Sequence, residues 1–266
     1  MTTWAQRIGV IELFYEDLAA AKAFYQDVFG LPVDREDDTS VSFVLGDLVL
    51  ILLCPAAARE LIEPAPVAAP DAGSRKCFTI GVDNVDAVCA ELAGRGVEIL
   101  TGPVDRWWGK RTASFADPGG HLYEIASPIP AGDSVSNTDP VSWDKEIGVI
   151  ELFYDDLAAA KAFYQDVFGL PVDREDDTSV SFVLGDLVLI LLCPAAAREL
   201  IEPVPMAPQD AGARMCATIG VDDVDAVCAD LAERGVKIIA GPYERRWGPR
   251  SAYFADPGGH IYEIAS

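Results

Sequence analysis

The chain has 266 residues, half of them hydrophobic, and a formal net charge of −23. That composition excludes a disordered chain, and so acidic a balance excludes a nucleic-acid binder or a ligand of anionic membranes, because few cations are available to neutralise phosphates. A neutral or cationic small molecule suits such a field.

In chain order, residues 8–15 alternate as a strand. Asp17 stands where an N-cap belongs, before a helix over residues 18–29 whose apolar face carries Ala20, Phe24 and Val28. Gly30 follows as a left-handed C-cap. Strands are expected at residues 31–34, 41–45 and 48–53, the last two joined by a Gly46-Asp47 turn. Residues 54–76 are rich in Ala and Pro and read as a connector with one helical turn at 56–62. A second β-α-β-β-β run then begins. It has a strand at 77–82, a helix capped by Asp83 and ending near Gly94, and strands at 97–100, 111–115 and 121–126. Asp117-Pro118-Gly119-Gly120 forms a turn before the last strand. Residues 128–142 are polar and Pro-rich, as a domain boundary should be.

After that boundary the chain starts again. Shifted by 139 positions, residues 4–127 lie over residues 143–266 without a gap, and about 100 of 124 positions are identical. The repeat divides the chain into a first domain (1–127), a linker (128–142) and a second domain (143–266), so every site should occur twice. Residues 17–64 and 156–203 do not differ at all. The differences gather later, at Lys76/Met215, Val104/Tyr243, Trp107/Arg246, Lys110/Pro249 and Ser114/Tyr253. The longest apolar run, residues 48–54, is too short to span a bilayer. The first residues lack the features of a secretory signal, so a cytoplasmic location is expected. The six cysteines show no metal-binding spacing and read as reduced, packed side chains.

Three segments in the same order, DLAAAKAFYQDVFGL, GVDNVDAVCAELAGRGVEIL and WGKRTASFADPGGHLYEIA, resemble the vicinal oxygen chelate superfamily. That group includes glyoxalase I, extradiol dioxygenases, fosfomycin-resistance enzymes and bleomycin-resistance proteins. The resemblance implies an α+β fold of two tandem glyoxalase-like domains. Their four βαβββ modules would form curved mixed sheets around cavities, and the two copies would stand as an intramolecular pseudo-dimer. It also implies where a divalent metal would be held: by a residue of the first strand of each module, commonly His, and by a Glu of the last strand. Glu124 and Glu263 match the last-strand Glu. Val10 and Val149 stand at the first position, and Cys77 and Cys216 at the second-module position. The chain has only two histidines, His121 and His260, one per copy. Each lies three residues before the Glu of its strand and so points to the opposite face. The usual metal site is therefore missing. No cofactor is expected, the alternative being a divalent metal on Glu124 and Glu263.

If Val10 faces a cavity, so does Glu12, two residues further on. Each cavity is then expected to join Glu12 with Glu124, or Glu151 with Glu263, beside Cys77 or Cys216. Trp107, Trp108, Arg111 and Tyr123 are available to line it in the first copy, and Tyr243, Arg246, Trp247, Arg250 and Tyr253 in the second. Three readings follow. The carboxylates and aromatics hold a planar or cationic ligand; Glu12, Glu124 and Cys77 hold a metal; or the paired carboxylates perform acid–base chemistry. The preferred expectation is metal-independent binding of an organic small molecule, on the pattern of bleomycin-resistance-type sequestration of an antibiotic or toxin. The alternative is a lyase, isomerase or dioxygenase-like enzyme whose catalytic residues would be Glu12, Glu124, Glu151 and Glu263.

Overall fold

The computed structural model describes residues 4–129, 146–244 and 249–266. The first module comprises β1 (Ile8–Phe14), α1 (Leu18–Asp27), β2 (Arg35–Glu36), β3 (Ser40–Leu45) and β4 (Leu48–Leu53), and a connector helix α2 (Pro55–Ile62) follows. The second comprises β5 (Lys76–Gly81), α3 (Val85–Gly94), β6 (Ile99–Asp105), β7 (Lys110–Ala116) and β8 (Leu122–Pro128). The second copy repeats the plan. Its first module has β9 (Ile147–Phe153), α4 (Leu157–Asp166), β10 (Val172–Glu175), β11 (Ser179–Leu184) and β12 (Leu187–Leu192), then helix α5 (Pro194–Ile201). Its second has β13 (Met215–Gly220), α6 (Val224–Glu233), β14 (Ile238–Glu244), β15 (Arg250–Ala255) and β16 (Ile261–Ala265).

Local chemistry explains most element ends. The Asp17 carboxylate accepts from the Ala20 amide at 2.9 Å, satisfying a donor that the first helical turn leaves unpaired. In the second module Asn84, one residue after the expected Asp83, performs the same task for Ala87. No strand forms at the expected residues 31–34, where Pro32 has no amide proton to give to a ladder; the edge strand comes after them, at Arg35–Glu36.

The pairing of the modules is the main departure from a simple tandem. Two eight-stranded mixed sheets form, in the orders β14-β15-β16-β13-β1-β4-β3-β2 and β10-β11-β12-β9-β5-β8-β7-β6. Strand β1 pairs antiparallel with β13, and β5 with β9. Each sheet therefore joins the first module of one copy to the second module of the other. The expected association of Glu12 with Glu124, and of Glu151 with Glu263, does not form, because those residues belong to different sheets.

The outer face of each sheet carries the long helices and the main core, with Phe43, Phe78, Phe115 and Tyr123 all buried. Within a copy, this face also ties the two modules together. Asp117, in the turn before β8, accepts from Tyr15 (2.5 Å) and Tyr25 (2.9 Å), and Tyr25 bonds Tyr123 at 2.6 Å. Tyr154, Tyr164, Tyr262 and Asp256 repeat the network. The inner face is covered mainly at one end. There α5 packs Ala197, Leu200 and Ile201 against Cys77, Leu122 and Phe153, and α2 packs Ala58, Leu61 and Ile62 against Cys216, Phe14 and Ile261.

The two connectors run side by side between the sheets, with bridges Val67↔Ala213 and Ser74↔Met206. Gly73 allows this approach. Its φ is +92°, and a Cβ there would stand 2.3 Å from the Pro205 carbonyl oxygen.

Candidate functional site

Strand alternation puts a row of side chains across the inner face of the second sheet. Val183 lies opposite Val188, which pairs with Val149; Val149 lies opposite Thr79, Thr79 beside Glu124, and Glu124 opposite Ser114. The next row holds Ile190, Glu151 and Cys77. One half of the face is thus apolar and the other polar. Val183 is 50% exposed, and Val149, Val188 and Ile190 are half-buried. Glu124 and Glu151 are buried.

The two glutamates share one hydroxyl. Thr79 Oγ1 lies 2.7 Å from Glu151 Oε1 and 3.2 Å from Glu124 Oε2. A hydroxyl has a single proton to donate. If it goes to one carboxylate, the other must carry a proton and donate back to Oγ1. Geometry therefore requires at least one proton on the pair, and the electrostatics indicate which carboxyl holds it more strongly. Burial, then the Glu124 charge, pushes Glu151 up from the ordinary 4.5 to about 8. Burial also raises Glu124, but the Thr112 and Thr79 hydroxyls and the Arg106 charge oppose this. The shared proton is therefore held more strongly by Glu151 than by Glu124. Three further atoms of this cluster, Glu124 Oε1, Glu151 Oε2 and Ser114 Oγ, are buried without a hydrogen-bond partner.

The first sheet carries the sister pair. Thr218 Oγ1 lies 2.9 Å from Glu12 Oε1 and 2.7 Å from Glu263 Oε2, and burial followed by the Glu263 charge raises Glu12 well above its ordinary value. The pairs are not equivalent. Tyr253, which stands where the other sheet has Ser114, donates its phenol to Glu263 Oε1. Of this pair only Glu12 Oε2 is left without a partner. The sequence difference Ser114/Tyr253 thus separates an incompletely satisfied carboxyl pair from a nearly satisfied one.

The remaining expected residues divide. Cys77 and Cys216 are buried on the inner faces, against α5 and α2. Burial, then the Glu151 and Glu124 charges, raises the Cys77 thiol well above its ordinary value, so it is neither thiolate nucleophile nor ready ligand. Tyr123 is on the outer face, since it alternates with Glu124, and belongs to the Asp117 network. Arg111 lies away from the glutamates and holds Asp86 through two bonds of 2.6 and 2.8 Å and Asp105 at 2.7 Å; Arg250 does the same with Asp225 and Glu244. Trp107 is 76% exposed at the β6–β7 turn, and Trp108 packs beside it. Tyr243, at the edge of the first sheet, is half exposed. Arg246 and Trp247 lie outside the described residues. His121 and His260 are buried in turns, where each bonds a backbone carbonyl of β1 (Phe14) or of the other connector (Arg75).

Sequence reasoning missed Thr79, Thr218 and Arg106. Thr79 is two residues beyond Cys77 on one strand, so the alternation that placed Cys77 would have placed it as well. Arg106 joins the polar half to the rim. Its Nε donates to Thr112 at 3.0 Å, its guanidinium lies 5.4 Å over the Trp108 ring, and Glu199 of α5 is 3.9 Å away. Among the described residues, no three His, Cys, Asp or Glu side chains converge as a cation requires. The pair supplies two carboxylates beside valines, fewer donors than the three protein ligands of a usual catalytic divalent-metal site.

Comparisons with known proteins agree with this architecture. The family described as Glyoxalase/Bleomycin resistance protein/Dioxygenase superfamily matches residues 7–125 and again 146–264, and the chain belongs to that superfamily. Over 260 residues it is 28% identical to the Mycobacterium tuberculosis protein named "Putative glyoxylase CFP32", spanning 96% of this chain and 92% of that one. It is 26% identical over 259 residues to the "Anthracycline biosynthesis protein DauV" of Streptomyces sp. strain C5, spanning 93% and 88%. Glyoxalase I from Zea mays shares the fold, with a TM-score of 0.70 at 18% identity over 98% of this chain and 92% of that chain.

Proposed function

We propose that this member of the superfamily binds an organic small molecule on the inner face of the β10–β6 sheet without a metal. The observation that carries the reading is the Glu124–Thr79–Glu151 cluster beside the apolar strip of Val149, Val188, Ile190 and Val183. An ionised Glu124 suits a cationic or hydrogen-donating group, a protonated Glu151 suits an acceptor, and the valines suit a flat apolar body. The arrangement favours a planar molecule carrying an amine, which accords with the anthracycline named for one relative. Sequestration of an antibiotic or toxin is the role consistent with such a site.

The test is a fluorescence titration of an anthracycline, planar and amine-bearing, against protein dialysed with EDTA. Binding should persist in EDTA and weaken at least tenfold in the Glu124→Gln, Glu151→Gln double variant. Absence of binding, or binding only after Mn, Ni or Zn is added, would overturn the proposal.

A second reading is favoured by the same proton-sharing pair. With Glu151 near 8 beside an ionised Glu124, the site resembles the paired acid and base of a lyase or isomerase. Turnover of a bound compound that is abolished by Glu124→Gln would favour that enzyme over a binder.

A further inference from the structure

Between the two connectors, on the pseudo-two-fold axis, lies a cleft with about 50 Å³ of free space. Its lining includes Arg75, Lys76, Arg214, His121 and His260 and contains no carboxylate. In a chain with 43 acidic and 20 basic residues, three basic side chains around one small space with no acid in its lining are unusual.

Their own bonds leave them under-compensated. Arg75 donates to the carbonyls of Ala207 (3.0 Å) and Phe153 (2.7 Å) and meets the half-exposed Asp155 at 3.2 Å. Arg214 donates to the carbonyls of Ala68, Phe14 and Gly119 and, like Arg75, has a carboxylate outside the cleft, Glu16, acting on it. Both Nε atoms are buried without partners. Lys76 is buried and, among the described residues, makes no ion pair; burial, then the Arg214 charge, lowers it from the ordinary 10.5 to about 7, and a bound anion would restore its charge. Its Nζ lies 3.1 Å from His121 Nδ1 and 5.8 Å from the Phe78 ring centre. His121 Nε2 faces the Phe14 carbonyl at 3.2 Å and must donate to it, so the neutral ring offers Nδ1 as an acceptor to the ammonium. The buried carboxylates behind the cleft are already engaged, Asp117 by Tyr15, Tyr25 and the Gly119 and His121 amides, and Asp256 by Tyr154, Tyr164 and His260. Uncompensated buried charge is costly, and a counter-ion relieves it.

We propose that this cleft binds a small inorganic anion of halide size, held off the axis toward Lys76 and Arg214. The small size follows from the space, about 50 Å³, where one water-sized sphere needs roughly 10–15 Å³. The offset follows from the sequence, since the symmetry mate of Lys76 is Met215.

Crystals of the full chain soaked in bromide should show an anomalous peak in the cleft beside Lys76; no peak there overturns the proposal. In parallel, melting is measured at fixed ionic strength in chloride and in gluconate. Chloride should raise the wild-type Tm by about 3 °C over gluconate. Lys76→Met, which copies the other half of the axis, should lose that difference. A wild type indifferent to the anion, or a variant that keeps the full chloride effect, also counts against the site.

Discussion

Replacing Glu151 by Gln tests the proton-sharing pair most directly. The amide keeps the shape of the side chain and an oxygen for Thr79, now 2.7 Å from Glu151 Oε1, but it cannot ionise. In the wild type, folding favours the protonated form, because the group moves from an ordinary 4.5 to about 8. The folded protein then binds more protons than the unfolded chain between those values, so stability falls as pH rises from about 4.5 to about 8 and is flat for this group outside the window. The interval from 4.5 to about 8, at about 1.36 kcal/mol per pH unit, sets an upper limit of about 5 kcal/mol. Because Glu124 titrates with its partner, part of that dependence stays with the pair, and about 2–3 kcal/mol is the expected share. Urea unfolding by circular dichroism at pH 4.5, 6.5 and 8.5 measures it. Glu151→Gln should match the wild type at pH 4.5 and exceed it by about 2–3 kcal/mol at pH 8.5. Carboxylates outside the pair titrate alike in the two proteins and cancel in the difference. A variant equally destabilised at every pH, or parallel to the wild type across the range, would refute the shared proton.

The neighbouring residues give sharper contrasts. Thr79→Val and Thr218→Val each delete the hydroxyl that mediates between two carboxyl groups, and each should cost about 1–3 kcal/mol in urea unfolding. Tyr253→Phe removes the donor to Glu263 and should cost a similar amount, whereas Ser114→Ala removes an unpartnered buried hydroxyl and should be neutral or slightly stabilising. Equal losses at positions 114 and 253 would contradict the inequivalence of the two pairs. Tyr25→Phe removes the hydroxyl that meets Tyr15, Asp117 and Tyr123. It should lower Tm by several degrees without altering ligand affinity, since the network is on the outer face.

By itself the sequence determined the repeat, the four βαβββ modules, most helix and strand positions, the superfamily, and the presence of Glu12, Glu124, Glu151 and Glu263 on inner faces. The repeat is read from the chain's identity with itself and the superfamily from the resemblance of three segments; the rest follows from local rules: alternation along a strand, the helical period, a capping carboxylate, a glycine after a helix. Only the tertiary structure decided which glutamates meet. Strands β1 and β9 are alike in sequence over their whole length, so their pattern is equally compatible with either copy's partner strand. The choice of β13 for β1 and of β9 for β5 is made by edge-to-edge pairing over long separations, to which periodicity is blind. The same choice brought Thr79 and Thr218 between the carboxyl groups and gathered Arg75, Lys76 and Arg214 on the axis. Those are relations between distant segments, set by how the sheets join and not by any one segment's own preferences.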